Sequence, residues 1–350
     1  MIRGIHIAAS GVLAGSRRQE VLGENMANAE TPGYKAEQAL LRGFPEMLLY
    51  RLEGARSTPI GETYQGAYVH EAVPVFSPGS IVQTERELDF ALVGDARLPE
   101  VLRAEYEAQY NGEGKASPPV RLFFTVQDKD DPERRLFTRD GRFTIDPDGY
   151  LATQDGHRVL GFTMGGGGAD AGDPVPIQVV RPSLQGTEQV RYTAQLSPDG
   201  RLSLLRPDGP SDHTGAFPPE ATYQLALAAF VERRGEAPQN DPIRDVPNVY
   251  WLTKEGGNLW RFSEDGMQPV FVAPNGGAGM AIAPGQATPF DARFDLGAGL
   301  MQQAYETSNV DLIQEMTGAM ANLRYYEANQ RALLTIDQTL SRAVNEVGKV

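Results

Sequence analysis

Residues 1–35 read MIRGIHIAASGVLAGSRRQEVLGENMANAETPGYK, and the spacing of their apolar side chains decides what kind of fold follows. Ile2, Ile5, Ala9, Val12 and Ser16 fall in alternating steps of three and four; Gln19 interrupts, and Leu22 and Met26 rejoin the face. A stripe of that period keeps one narrow side of a helix turned toward a partner helix. The stretch has the basic, apolar and small-residue order of a secretory leader, with Ala14-Gly15-Ser16 as the small residues. His6 and Ser10 break the apolar run, and the pattern continues past Ser16, so a helix of the folded protein is the better reading. Pro32 disfavours α conformation at Thr31, and Pro32-Gly33 suits a tight turn. The helix is therefore expected over roughly 28 residues, Met1 to Ala29, or ~42 Å.

The chain ends much as it begins. Ser308-x-x-Asp311 has the form of a capping box, with Asn309 as an alternative cap. A stripe in steps of four and three follows through Leu312, Met316, Ala319, Leu323, Tyr326, Gln330, Leu333, Asp337, Leu340, Val344 and Val347, with polar breaks at Gln330 and Asp337. It predicts a helix of about 40 residues, ~60 Å long. A lone amphipathic helix would pack on a globular core. Two narrow stripes at opposite ends of one chain instead favour pairing as a coiled coil. The assembly seam is assigned to Ile2, Ile5, Val12, Leu22, Met26, Leu312, Met316, Leu323, Leu333 and Leu340. Such a pair buries little on itself and is expected to need neighbouring chains to cover its other faces.

Composition narrows the function. The 350 residues carry a net charge of −14, which argues against the dense basic face of a nucleic-acid binder. Residues 1–50 hold five basic and five acidic side chains and residues 305–350 four and six, so most of the negative charge lies between the ends. With no cysteine and four scattered histidines (His6, His70, His157, His213), thiolate chemistry is excluded and imidazole chemistry is thinly supplied. The longest strongly apolar run, Leu225–Val231, is far short of the ~20 residues of a membrane helix, so no membrane insertion is expected. The sequence lacks a G-x-S-x-G elbow, an H-E-x-x-H pair and a dinucleotide fingerprint. Gly165–Gly168 lacks the Lys-Ser/Thr of a phosphate loop, and Asp146-x-Asp148-Gly149 lacks EF-hand ligand spacing. No catalytic residue, cofactor or metal is assigned, although a carboxylate pair of the glycosidase kind could always be drawn from so many acids.

The middle reads as antiparallel β structure. Six Asp-Gly pairs, at 140–141, 148–149, 155–156, 199–200, 208–209 and 265–266, are favoured hairpin turns. Strand-like runs flank several: Arg142–Ile145, Tyr150–Thr153, His157–Phe162, Ile177–Val180, Arg201–Leu205, Tyr223–Val231 and Val249–Thr253. Leu98–Tyr110 is more helix-like.

The motifs are specific enough to carry a resemblance. Asn25-Met26-Ala27-Asn28-Ala29-Glu30-Thr31-Pro32-Gly33-Tyr34-Lys35 closely resembles the N-terminal signature of bacterial flagellar rod and hook proteins. Glu306-Thr307-Ser308-Asn309-Val310, Glu315-Met316, and Arg324-x-Tyr326-Glu327-Ala328-Asn329, continued by Ile336-Asp337 and Leu340, are similar to that family's closing signature. Gly79–Gly94, Phe137-Thr138-Arg139-Asp140-Gly141-Arg142-Phe143, Asp148–Leu151, Leu225–Leu227 and Asn258-Leu259-Trp260 match its β-rich middle more loosely. The chain departs from the pattern by an insertion near 96–120 and expansions within 163–220.

The resemblance implies a structural axial subunit and not an enzyme, self-assembling through its terminal helices into a helical tube that transmits torque. It implies export by the flagellar type III apparatus and a place in the basal body, outside the cytoplasm. Phe44-Pro45-Glu46-Met47-Leu48 resembles the segment that engages the export gate, Phe44 and Leu48 being its anchors; an ordinary core anchor is the alternative. The implied partners are copies of itself, other rod and hook subunits and that gate. A rod protein is favoured; a hook protein, and from another class a secreted β-rich hydrolase, remain open. The expected organisation is mainly β: paired terminal helices at 1–35 and 306–350, a connecting and export segment at 36–72, and a β-rich domain at 73–305.

Overall fold

The computed structural model describes residues 2–45, 47–53, 56–63, 65–93, 100–110, 117–165, 168–169, 173–182, 189–197, 200–205, 221–233, 247–262, 270–272 and 299–347. The chain is mostly antiparallel β with a helix near each end. It divides into two compact units. One comprises 1–29, 35–75 and 310–350; the other comprises 30–34 and 76–309.

In the helical unit, α1 spans Ile2–Ala27 and a second long helix spans Leu312–Val347. Helix α1 stops short of the proline because Asn28 closes it: the Asn28 amide and side-chain Nδ2 both donate to the Glu24 carbonyl, at 3.1 and 2.9 Å. These bonds satisfy a carbonyl that the helix end would otherwise leave open. The C-terminal helix begins later than the sequence suggests. Asp311, not Ser308 or Asn309, is the cap, its carboxylate accepting from the Ile313 and Gln314 amides at 3.0 and 3.1 Å. Residues 35–75 group with these helices, where the sequence suggests a connecting segment. Strand 37–43 pairs with 67–74 through a bulge at Leu40/Leu41, and 47–53 pairs with 56–63. Asn25 ties helix to sheet, exchanging two hydrogen bonds with the Glu37 backbone at 2.8 and 2.9 Å.

In the β unit the main sheet runs in the order 193–196, 201–205, 221–225, 158–165, 120–127, 135–138, 259–262, 252–254, and every ladder between named strands is antiparallel. Its centre explains the unbroken apolar run. Strand 227–231 pairs with 120–127 and is buried throughout. Leu227, Ala229 and Val231 join Leu122, Phe124 and Val126 in one core, while Ala228 and Phe230 join Phe76, Phe123, Phe137 and Trp260 in another. A strand buried on both faces needs no polar alternation.

Several expected elements take a different form. The Tyr223–Val231 run is two strands, broken at Ala226, that pair with different neighbours. Val249–Trp251 is a 3₁₀ turn capped by Asn248, and only Leu252–Lys254 is strand. Helix α2, Glu100–Tyr110, occupies the helix-like stretch and buries Tyr106 in the larger core; the helix spanning Leu312–Val347 is therefore α3. Gly149, Gly156 and Gly200 adopt positive φ at hairpin turns. Gly141 does not: its place is fixed by close approach, since a Cβ there would stand 1.6 Å from the Phe90 carbonyl oxygen. The 208–209 and 265–266 pairs lie outside the described residues, as do 94–99, 111–116 and 206–220.

The chain returns to its start through 299–306. Strand 299–302 pairs with 90–93 and 304–306 with 81–83, the switch being made at Gln303, whose φ is 58°.

Candidate functional site

The residues marked by the sequence gather in two places, a clasp in the β unit and the facing sides of α1 and α3 in the helical unit. The clasp is built on Pro32-Gly33-Tyr34. Gly33 sits at φ +67°, where a Cβ would meet the Asp140 amide nitrogen at 2.3 Å, so no other residue fits the turn. Its amide donates to the Glu306 carbonyl at 2.8 Å. Tyr34 is fully buried, and the Lys254 ammonium donates to its hydroxyl at 3.1 Å while lying 4.4 Å from its ring centroid. Asn258 Nδ2 bridges the Pro32 carbonyl, at 3.3 Å, and Asp140 Oδ2, at 3.1 Å. The Asn309 amide donates to the Tyr34 carbonyl at 3.4 Å, and Asn309 Nδ2 donates to Ser77. The closing signature thus bonds directly to the opening one, Asn309 to Tyr34 and Gly33 to Glu306.

Beneath the turn lies a buried ion pair. Arg139 donates to Glu306 Oε2, Glu306 Oε1 accepts from the Gly79 amide at 2.8 Å, and Arg139 Nη1 donates to the Leu122 carbonyl at 2.8 Å. Burial raises the pKa of the neighbouring Asp140, opposed by the Arg142 amide, the Arg142 charge and Asn258. The sequence motifs contain Pro32, Gly33, Tyr34, Glu306 and Asn309, and more loosely Arg139 and Asn258, but give Glu306, Arg139 and Asn258 no role, and Lys254 lies in none of them. Arg139 and Asn258 stand in motifs that resemble only the family's β-rich middle, and nothing local marks a charge as buried.

In the helical unit α1 and α3 pack antiparallel, with Gly4 against Ile336, Gly11 against Asn329, Gly15 against Tyr326, and Leu22 against Gly318. Gly4, Gly11 and Gly15 line the α1 side, so the two backbones approach closely. On α3 the facing residues include Ala319, Asn322, Tyr326, Asn329 and Ile336. Of the seam residues, Ile5, Val12, Leu22, Met26, Leu333 and Leu340 are half-buried. Leu312, Met316 and Leu323 are exposed on α3, as are Ile313 at 78%, Leu334 at 58% and Val344 at 65%. Ile2 begins α1. The α3 helix therefore carries more apolar side chains than α1 covers.

The remaining signature residues serve local structure or face solvent. Asn25 and Lys35 are buried, Thr31, Ser308, Val310 and Glu315 are half-buried, and Ala27, Arg324, Glu327 and Ala328 are exposed. Phe44 stacks at 4.9 Å on Tyr68, and Leu48 lies in strand 47–53, so the two are not on one helical face in the folded chain. Asp146 and Asp148 are engaged by Arg158, which makes their turn a hairpin corner. Among the described residues no group of three or more His, Cys, Asp or Glu could hold a metal ion, and no helix is long and apolar enough to cross a membrane.

Comparison with known proteins agrees with this layout. The family described as "Flagella basal body rod protein" matches residues 5–35. "Flagellar hook protein FlgE/F/G D1 domain" matches 121–203, and "Flagellar basal body rod FlgEFG protein C-terminal" matches 301–346. The chain is 25% identical to the flagellar hook-basal body complex protein FlhO of Bacillus subtilis (strain 168), over 100% of both chains. It is 25% identical to the flagellar basal-body rod protein FlgG of the same organism over 99% of both. To the flagellar basal-body rod protein FlgF of Salmonella typhimurium it is 24% identical over 98% of this chain and 97% of the relative.

Proposed function

We infer that this chain, which belongs to the flagellar rod and hook-basal-body protein family, is a structural subunit of the basal-body rod and has no enzymatic role. The observation that carries the mechanism is the surplus of apolar surface on α3. One side of α3 is turned to α1, while Ile313, Leu323, Leu334 and Val344 remain exposed. Leu312, Met316, Met320 and Leu323, also exposed and one turn apart, make part of this a contiguous apolar surface, the mark of a partner-binding site. The terminal helices pair as a coiled coil and form the assembly core, and the exposed side of α3 packs against neighbouring subunits. Contacts of that head-to-tail kind propagate into a helical tube instead of closing. The β unit, held together by the clasp, passes torque to its neighbours.

The chain reaches this place by flagellar type III export, with Phe44 and Leu48 engaging the gate before folding. Their separation in the folded chain is compatible with recognition of an unfolded segment. Self-assembly joins it to copies of itself and to other axial subunits outside the cytoplasm.

Deleting the gene and imaging isolated basal bodies by cryo-electron microscopy tests the assignment. A missing or truncated rod is expected. An intact rod with a missing hook would transfer the chain to the hook, and complete basal bodies would overturn both readings. For export, Phe44→Ala with Leu48→Ala should leave a soluble subunit inside the cell; normal secretion would remove the gate assignment.

A further inference from the structure

Gln19 is a polar break in the α1 stripe, one heptad from Val12 and one from Met26. In the folded chain it meets a polar counterpart. Asn322 is 2% exposed, and its Nδ2 donates to Gln19 Oε1 at 2.9 Å and to the Gly15 carbonyl at 2.8 Å. One heptad along α3, Asn329 lies over Gly11, where a Cβ would come within 2.7 Å of the carboxamide oxygen. The residue numbers of the pairs Gly4/Ile336, Gly11/Asn329 and Leu22/Gly318 add to one total, so a single antiparallel register runs along the contact.

We propose that the Gln19–Asn322 pair selects this register. A stripe of period seven specifies a face, not a position along it, because a slip of one heptad again sets apolar residues on apolar residues. Sterics exclude only one direction of slip, since Asn329 would meet Arg18 one way and Gly4, which has room, the other. The polar pair discriminates against both. A slip replaces Gln19 opposite Asn322 with Val12 or Met26 and leaves the buried carboxamide without its side-chain acceptor. Asn322 Oδ1 already has no hydrogen-bond partner among the described residues, so the native register is the one that matches the other end of the group. Such a pair adds little stability, but taking the acceptor from the buried Asn322 carboxamide is costly, which is the property a register selector needs. The register in turn fixes which α3 side chains lie beside each turn of α1, and so the surface the pair offers. This inference concerns the single chain and stands apart from the rod assignment.

The absence of cysteine permits a direct test by disulfide trapping in dilute full-length protein with oxidised glutathione. Leu22→Cys with Gly318→Cys reports the native register. Leu22→Cys with Tyr325→Cys and Gly15→Cys with Gly318→Cys report the two slips. In the native background the first pair should cross-link about tenfold faster than either slip pair, and Gln19→Leu with Asn322→Leu should cut that preference to about threefold. Circular dichroism confirms retained helix content. A preference that stays tenfold in the helical double variant overturns the proposal. Asn322→Ala adds no volume and should lower the preference in the same way. Loss of helix content in both variants would make the pair a stability element and also overturn it.

Discussion

Arg139 grips Glu306 with two nitrogens on one oxygen, Nε at 2.8 Å and Nη2 at 2.6 Å, across 167 residues of sequence. Both side chains are buried, and their remaining atoms are matched by the Gly79 amide and the Leu122 carbonyl. The pair joins the closing strand 304–306 to the Arg139-Asp140 turn that receives Gly33. Glu306→Gln leaves a buried guanidinium without its counter-charge, and a loss of about 3–5 kcal/mol is expected. Replacing both residues by apolar ones, Arg139→Met with Glu306→Leu, should recover much of that loss. Urea denaturation of the three proteins measures it; equal stability of Glu306→Gln and the unmodified chain would refute the assignment.

Two glycines should respond with opposite signs to the same change. Gly33→Ala forces a side chain into positive φ and against the Asp140 backbone, so a loss of at least ~1–3 kcal/mol is expected. Gly23 lies within α1, and a Cβ there meets nothing within 4 Å. Gly23→Ala should therefore stabilise the helix by about 0.5–1 kcal/mol. Thermal denaturation of both variants checks the pair of signs.

Asp140 gives a pH dependence whose direction is fixed by burial. Its pKa is raised above 3.8 in the folded chain. Between the ordinary and the raised value the folded protein holds the proton more tightly than the unfolded one, so stability falls as pH rises through that window. The contribution is fully present below the ordinary pKa and lost above the folded one. Asp140→Asn cannot titrate, and its stability relative to the unmodified chain should rise with pH across the acid range upward from 3.8. Denaturant midpoints of both proteins at stepped pH decide this, and parallel curves would contradict it.

The two terminal helices were legible because period is a local property, and so were the Asp-Gly corners at Gly149, Gly156 and Gly200. The facing side of α3 was not fully legible. Apolar spacing marked Leu312, Met316 and Leu323, but α1 is lined by Gly4, Gly11 and Gly15, and glycines accept the carboxamides of Asn322 and Asn329 where larger residues could not. The stripe most visible in sequence is in part the exposed one. The clasp was half legible: Gly33, Tyr34, Arg139 and Glu306 stand in recognisable motifs, but the roles of Arg139, Glu306 and Lys254 depend on contacts made across more than a hundred residues.

The distinction between the two sides of α3 yields the last prediction. Leu334 is 58% exposed, so Leu334→Lys removes no buried contact within the chain. Its effect on monomer stability should stay within about 0.5 kcal/mol. Ile336 is two residues away and faces Gly4, with its Cδ1 3.1 Å from where a Cβ would stand. Ile336→Lys places a charge in the helix contact and should destabilise the monomer by ~1–3 kcal/mol. If the exposed side of α3 is the surface that packs between subunits, Leu334→Lys must abolish assembly while leaving the folded monomer intact. Analytical ultracentrifugation with circular dichroism separates the two variants. Unimpaired polymer formation by Leu334→Lys would mean that neighbouring subunits are joined elsewhere.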